Sequence, residues 1–326
     1  MLRHLFRTKR KSIRNLDTKR GKTRKQRATN KALNCNPKVG DSVVANTCIT
    51  KDVLLRVRDE YNKDHPNQQI AGTHGPIELY NELKNRLQCD HEKCLLKEID
   101  DSSERAKYAA ELFAPEHPAE WNKNPNEWLS NHDIDKVIAQ YESKYADFKY
   151  LGTSAIDYDF KYSDGNCVEN RLCKFDLKKS IAEGKRRFGA VFNLDKHDES
   201  GSHWVSFFVK VDPSKKQGWI CFFDSATSSK GVKDLDKLVK ADVMPAEVAN
   251  LIRTIMKQGA DIGYHFSWQM NRRQHQRGNT ECGMYSLYFI IHMLENSEKT
   301  LKCIQNHRLS DADVEKYRKI YFNRPV

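Results

Sequence analysis

An α+β fold is what the pattern of this chain predicts. Amphipathic helical segments fill its first half, three short β-branched and aromatic runs cluster between residues 187 and 224, and helices return after them. Strands bunched in this way argue for a sheet with helices segregated around it, and against a strictly alternating βαβ chain. At 326 residues and 38 % hydrophobic content the chain is long enough for two domains, or for one large domain with an extension. It contains no internal repeat.

Taken in order, residues 1–30 form a basic tail. Twelve Lys and Arg residues stand there against Asp17 alone, so this stretch carries eleven of the chain's twelve net positive charges. With few large apolar residues after Phe6 it cannot bury enough surface to offset its ordering entropy, and disorder is expected. Three roles fit: a solvated tail, an arm that contacts DNA or another polyanion by counterion release, or a nuclear-import signal around "RTKRKSIR". No stretch approaches the roughly 18–20 apolar residues of a membrane span, and the start lacks the apolar core of a signal peptide. Neither secretion nor membrane insertion is expected.

Residues 31–120 read as a helical extension. "TKDVLLRVRDEYN" aligns Val53, Leu54, Val57 and Tyr61 on one face, and "GPIELYNELKNRLQ" starts with Pro76 and spaces Ile77, Tyr80, Leu83 and Leu87 similarly. A boundary near residue 120 separates this extension from residues 121–326. There Trp121 and Trp128 precede a helix capped by Ser130 and Asp133, whose stripe runs Ile134, Val137, Ile138, Tyr141, Tyr145 and Phe148. "RFGAVFNL", "HWVSFFVKV" and "GWICFFD" are the three strands. Helices follow at "KDLDKLVK" and at "PAEVANLIRTIMKQ", the latter with Val248, Leu251, Ile252 and Ile255 in register. After Cys282 the chain is apolar on nearly every face, which predicts a buried helix.

The nine cysteines are scattered, which predicts a reducing compartment and mostly free thiols. One local cluster, "CDHEKC", places Cys89, His91 and Cys94 together, with Cys35 and Cys48 upstream. It reads either as a zinc site of non-standard spacing or as a helix end with buried thiols.

A different cysteine carries the chemistry. A thiol nucleophile needs a lowered pKa, a histidine to hold its proton and a polar group to orient that histidine. Cys282 lies at the predicted start of the buried helix, where the helix dipole favours thiolate, and Gly283 beside it permits close approach. His203 immediately precedes the second strand and Asp224 ends the third. If those strands pair as a hairpin, the two residues become neighbours. Gln276, six residues before the cysteine, is a candidate oxyanion donor alongside backbone N–H groups, with Gln274 and Asn279 as rivals.

These residues resemble a known family. "HW" opening a strand, "FFDS" about twenty residues on, and a glutamine before "ECG" at the start of an apolar helix resemble the SUMO-protease-like, or adenain-like, cysteine proteases. "EWLSNHDI" resembles the segment that begins their catalytic domain. The N-terminal half, with "LNCNPK", "NTCITKDVLLRVRDEYN" and "RLQCDHEKC", resembles the helical extension of the branch found in large nucleocytoplasmic DNA viruses. The resemblance implies a papain-like or adenain-like fold, with His203 as base, Asp224 as its orienter, Cys282 as nucleophile, Gln276 as oxyanion donor and Trp204 lining the cleft. It implies Cys–His–Asp acyl transfer without metal or organic cofactor, on Gly-containing sites of core or capsid polyproteins during virion maturation, in the virion and at assembly sites in the host cytoplasm. The basic tail leaves the nucleus open as a second location. Two alternatives stand beside this: a SUMO or ubiquitin-like isopeptidase, and an inactive nucleic-acid-binding virion component.

Overall fold

The computed structural model describes residues 33–44 and 46–326; the basic segment 1–30, with the DNA and nuclear expectations attached to it, lies outside them. Five strands, β1 (Phe148–Ala155), β2 (Arg187–Asn193), β3 (Trp204–Asp212), β4 (Gln217–Phe223) and β5 (His265–Met270), form one sheet in sequential order. The outer pairs β1–β2 and β4–β5 are parallel, and β2–β3–β4 is an antiparallel meander. Ahead of the sheet come α1 (Lys51–Asp64), α2 (Pro76–Arg86) and α3 (Ser102–Leu112). α4 (Asn131–Lys144) leads into β1, α5 (Asn170–Cys173) and α6 (Leu177–Ala182) join β1 to β2, and α7 (Leu235–Lys240) and α8 (Ala246–Asp261) join β4 to β5. α9 (Cys282–Asn306), α10 (Asp311–Glu315) and α11 (Arg318–Tyr321) close the chain.

Alternation along the strands explains the layers. On β3, Trp204 and Phe208 face α4 and α9, whereas Val205, Phe207, Val209 and Val211 face α6, α7 and α8. Both faces of the sheet are therefore covered, and each fully buried phenylalanine contributes roughly 1.5–3 kcal/mol relative to exposure. Gly189 lets α9 come close to β2, since a methyl group there would meet Ile290 Cδ1 at 3.2 Å and the Phe148 ring at 3.1 Å. Residues 33–113 have a separate core around Leu54, Val57, Leu83, Leu95 and Leu96.

Several expectations need correction. The helix read through Phe148 ends at Lys144, where the Tyr145 N–H donates to Tyr141 O, and Phe148 begins β1. In α2 the buried stripe is Leu79 and Leu83, and Ile77 is exposed. Most cysteines are not free: Cys35–Cys48, Cys89–Cys94 and Cys167–Cys173 are disulfides, and Cys221, Cys282 and Cys303 remain as thiols. The paired residues are 13, 5 and 6 positions apart, short-range loop staples that a scattered count conceals. They also consume the four sulfurs of the zinc alternative, and no metal-ligating cluster occurs among the described residues. Nor is any described helix long and apolar enough to cross a membrane.

The C-terminus returns to the extension. Asn323 accepts a hydrogen bond from Asn34 N at 2.6 Å and donates through Nδ2 to Asn34 O at 2.9 Å and Ala114 O at 3.0 Å. Its backbone pairs with Pro115 O and His117 N.

Candidate active site

The β3–β4 hairpin decides the site's geometry. Ser206 pairs with Phe223, so the residues just outside the ladder, His203 and Asp224, meet at the same end of the sheet. His203 Nε2 lies 2.8 Å from Asp224 Oδ1. Asp224 is held from behind: its Oδ1 also accepts from Ala226 N at 2.8 Å, and its backbone is bracketed by the buried Asn271, whose Oδ1 accepts from Asp224 N at 3.1 Å and whose Nδ2 donates to Asp224 O at 2.8 Å. With Nε2 committed to the carboxylate, Nδ1 is the ring nitrogen left for a second partner, and Cys282 is near enough to the ring to help raise its pKa. Burial alone would disfavour the imidazolium. The hydrogen bonds and charges of Asp224 and Cys282 outweigh it and push the pKa of His203 up to about 10.

Cys282 is the first residue of α9, 1 % exposed. The chain turns into this helix through Glu281, which occupies the N-cap position without capping it with its side chain. No acceptor among the described residues reaches the N–H groups of Cys282, Gly283 or Met284, so three donors point out of the helix start beside the sulfur. Gly283 serves packing within the chain: a methyl group there would sit 3.1 Å from Leu129 Cβ and 3.4 Å from Trp204 Cδ1. Trp204, the expected cleft-lining residue, is 7 % exposed and donates through Nε1 to Leu129 O at 3.0 Å, so it packs against the helix start.

The three oxyanion candidates differ in burial. Gln276 is buried, its N–H donates to Ser225 O at 2.8 Å, and its side-chain Oε1 accepts from Ser225 Oγ at 2.7 Å. It is thus strapped to the residue that follows Asp224. Its Nε2 donates to Gly278 O at 2.9 Å, which leaves one amide hydrogen uncommitted. Gln274 and Asn279 are both exposed.

Two supporting residues escaped the sequence reading. Asn271 follows β5 and carries no motif of its own. Arg318 opens α11 and pairs with Glu281. A lone arginine in "KYRKIY" gives no signal of burial. Only tertiary structure reveals it.

A thiol at a helix start, a histidine at a strand end and a carboxylate on the neighbouring strand, set on this five-stranded sheet, accord with the class that the relatives below establish: a cysteine-type peptidase of SUMO-protease-like fold. The fold matches the crystal structure of the African swine fever virus protease with a TM-score of 0.58, at 20 % identity, covering 90 % of this chain and 96 % of that one. Residues 121–323 match the family model described as YopJ serine/threonine acetyltransferase, and the chain belongs to that family. Among its relatives is a protein named "Putative thiol protease" from Acanthamoeba polyphaga mimivirus, 26 % identical over 293 residues, which span 88 % of this chain and 80 % of that one. Another is the cysteine protease of African swine fever virus, 24 % identical over 247 residues, 73 % of this chain and 84 % of the relative. The corresponding protein of a second isolate of that virus is named a SUMO-1 cysteine protease.

Proposed function

We propose that the protein is a viral cysteine endopeptidase that cleaves Gly-containing sites in core or capsid polyprotein precursors during virion maturation, in the virion and at assembly sites in the host cytoplasm. The observation that carries the reading is the 2.8 Å bond by which Asp224 holds His203, together with the place of Cys282 at the head of α9, where it adds to the rise in the His203 pKa. A cation beside a thiol favours the thiolate, the nucleophilic form. In the proposed cycle the Cys282 thiolate attacks the scissile carbonyl. The free N–H groups at the start of α9 and the spare amide hydrogen of Gln276 stabilise the oxyanion, and the His203 imidazolium delivers its proton to the leaving amine. Neutral His203 then takes a proton from water, the hydroxide attacks the thioester, and Cys282 leaves as thiolate while the ring becomes imidazolium again. Asp224 keeps the ring oriented and stabilises its cation throughout. No cofactor takes part.

Two further readings are each supported by a name: an isopeptidase by the SUMO-1 cysteine protease among the relatives, and an acetyltransferase by the family's description. The thioester is common to all three activities. They differ in what is bound and in what resolves the acyl-enzyme: water for a peptidase or isopeptidase, a hydroxyl group for an acetyltransferase. One experiment separates them. The full-length protein is incubated with a virion core precursor, with SUMO and ubiquitin fusions, and with acetyl-CoA plus protein acceptors. Cleavage of the precursor at Gly-containing bonds by wild type and not by Cys282→Ala is the expected result. Exclusive processing of the fusions, or acyl transfer without cleavage, overturns it.

A further inference from the structure

Glu281 poses a problem for the site it borders. A carboxylate one residue before a nucleophilic thiol opposes thiolate formation, and a carboxylate at an N-cap can fold back onto the helix's free N–H groups. Those N–H groups are the donors that the proposed chemistry needs. Here the carboxylate does neither, because it is held elsewhere.

The holder is Arg318. Its Nε donates to Glu281 Oε2 at 3.1 Å and its Nη2 to Oε1 at 2.9 Å, a bidentate fork in which both side chains are at most 6 % exposed. The remaining donors reach backbone carbonyls on both sides of the nucleophile. Nη2 lies 3.3 Å from Thr280 O and 3.4 Å from Asn126 O, and Nη1 lies 3.1 Å from Glu127 O. The guanidinium rests 4.4 Å from the centroid of the Trp121 ring, and Trp121 Nε1 donates to the same Glu127 carbonyl at 2.9 Å. Two residues further on, Leu129 packs over Gly283 and accepts from Trp204. One guanidinium therefore joins the turn that presents Cys282 to the loop that covers it.

We propose that Arg318 is a positioning residue for the nucleophile: it draws the Glu281 carboxylate away from the start of α9, neutralises it, and fixes residues 126–127 and 280–281 relative to the sulfur. This inference rests on the peptidase reading of Cys282. Lysine cannot replace the fork, because an ammonium is a single point donor and the site uses all three nitrogens of a planar group.

The test follows the thiol itself, with no substrate present. Alkylation of Cys282 by iodoacetamide is measured across pH by peptide mass spectrometry on the full-length protein, for wild type, Arg318→Met, Arg318→Lys, Glu281→Gln and the double variant Glu281→Gln/Arg318→Met. Arg318→Met should move the alkylation midpoint up by about one pH unit and lower kcat about tenfold with KM little changed. The double variant should return the midpoint toward wild type, and Arg318→Lys should fall between. Should Arg318→Met fail to fold, Glu281→Gln alone decides, since removing the anion while keeping the cation should move the midpoint down. Superimposable midpoints for wild type and the folded variants, with only thermal stability changed, would reduce Arg318 to a structural role and overturn the inference. Failure of the underlying reading looks different: wild-type Cys282 would then react no faster than Cys303, whatever stands at position 318.

Discussion

His203 and His275 both neighbour the end of β4, one bonded to Asp224 and the other donating its backbone N–H to Ser225 O, yet they titrate in opposite directions. Burial pushes His275 down to about 4, and its ring finds only neutral backbone partners, Ile304 O through Nε2 and Leu309 N through Nδ1. Burial presses on His203 too, but Asp224 and Cys282 reverse the outcome and raise it to about 10. Two of the three free thiols differ in setting. Cys221, sealed in the sheet, is driven well above the ordinary thiol range by burial alone, whereas Cys282 opens a helix. A buried titratable side chain is therefore no sign of chemistry by itself. A charged partner at the rim of the core is what separates the surroundings of His203 from those of His275.

Breaking the reactive side should have the largest effect. Cys282→Ala is expected to lower kcat on a Gly-containing precursor peptide by at least about 10^4-fold, whereas Cys221→Ala, which alters the inert side, should retain turnover and lose only stability. Next comes the charge that distinguishes the histidines. Asp224→Asn should reduce kcat by roughly 10^2–10^4-fold and bring the alkaline limb of the pH–rate profile down from the vicinity of pH 10, because the carboxylate that sustains the imidazolium is gone. The oxyanion assignment is sharpened by a third measurement. Gln276→Ala is expected to lower kcat by about 10–10^3-fold with KM little changed, while Gln274→Ala and Asn279→Ala, at exposed positions, remain near wild type.

The smallest effect reads the comparison through stability. The folded-state pKa of His203 is raised, so its contribution is fully present below about pH 6.5 and is lost as pH rises through about 10. For His275 the folded value is depressed, so the unfolded chain takes up its proton first and stability falls as pH drops from about 6.5 through about 4. Melting temperature against pH should flatten on the alkaline side in His203→Gln and on the acid side in His275→Gln. Equal flattening in both variants would show that partner charge does not distinguish them.

What the sequence made legible was local pattern joined to one topological step. The apolar alternation of β3 and β4 is plain, and pairing them as a hairpin is enough to bring His203 to Asp224. The change from polar turn to continuous apolar run marks the start of α9 and with it Cys282. β1 and β5 stayed hidden for opposite reasons. "FKYLGTSA" is buried on both faces and so lacks a clean alternation, and its Phe148 falls on the apparent stripe of α4; "HFSWQM" is a sheet-edge strand of mixed polarity. Arg318 was invisible because its partners come from residues 121–127 and 280–281, and no local rule anticipates a guanidinium buried by segments nearly two hundred positions apart. The disulfides are not legible because a cysteine count describes a population, whereas each bridge is a local event.

The hydrogen bonds of Asn323 have a practical corollary. They bind the far end of the chain to residues 34 and 114 on one side and, through its backbone, to the connecting stretch at Pro115 and His117 on the other. A protease nick between residues 118 and 120 would therefore yield two bands on a denaturing gel from a particle that still elutes as one.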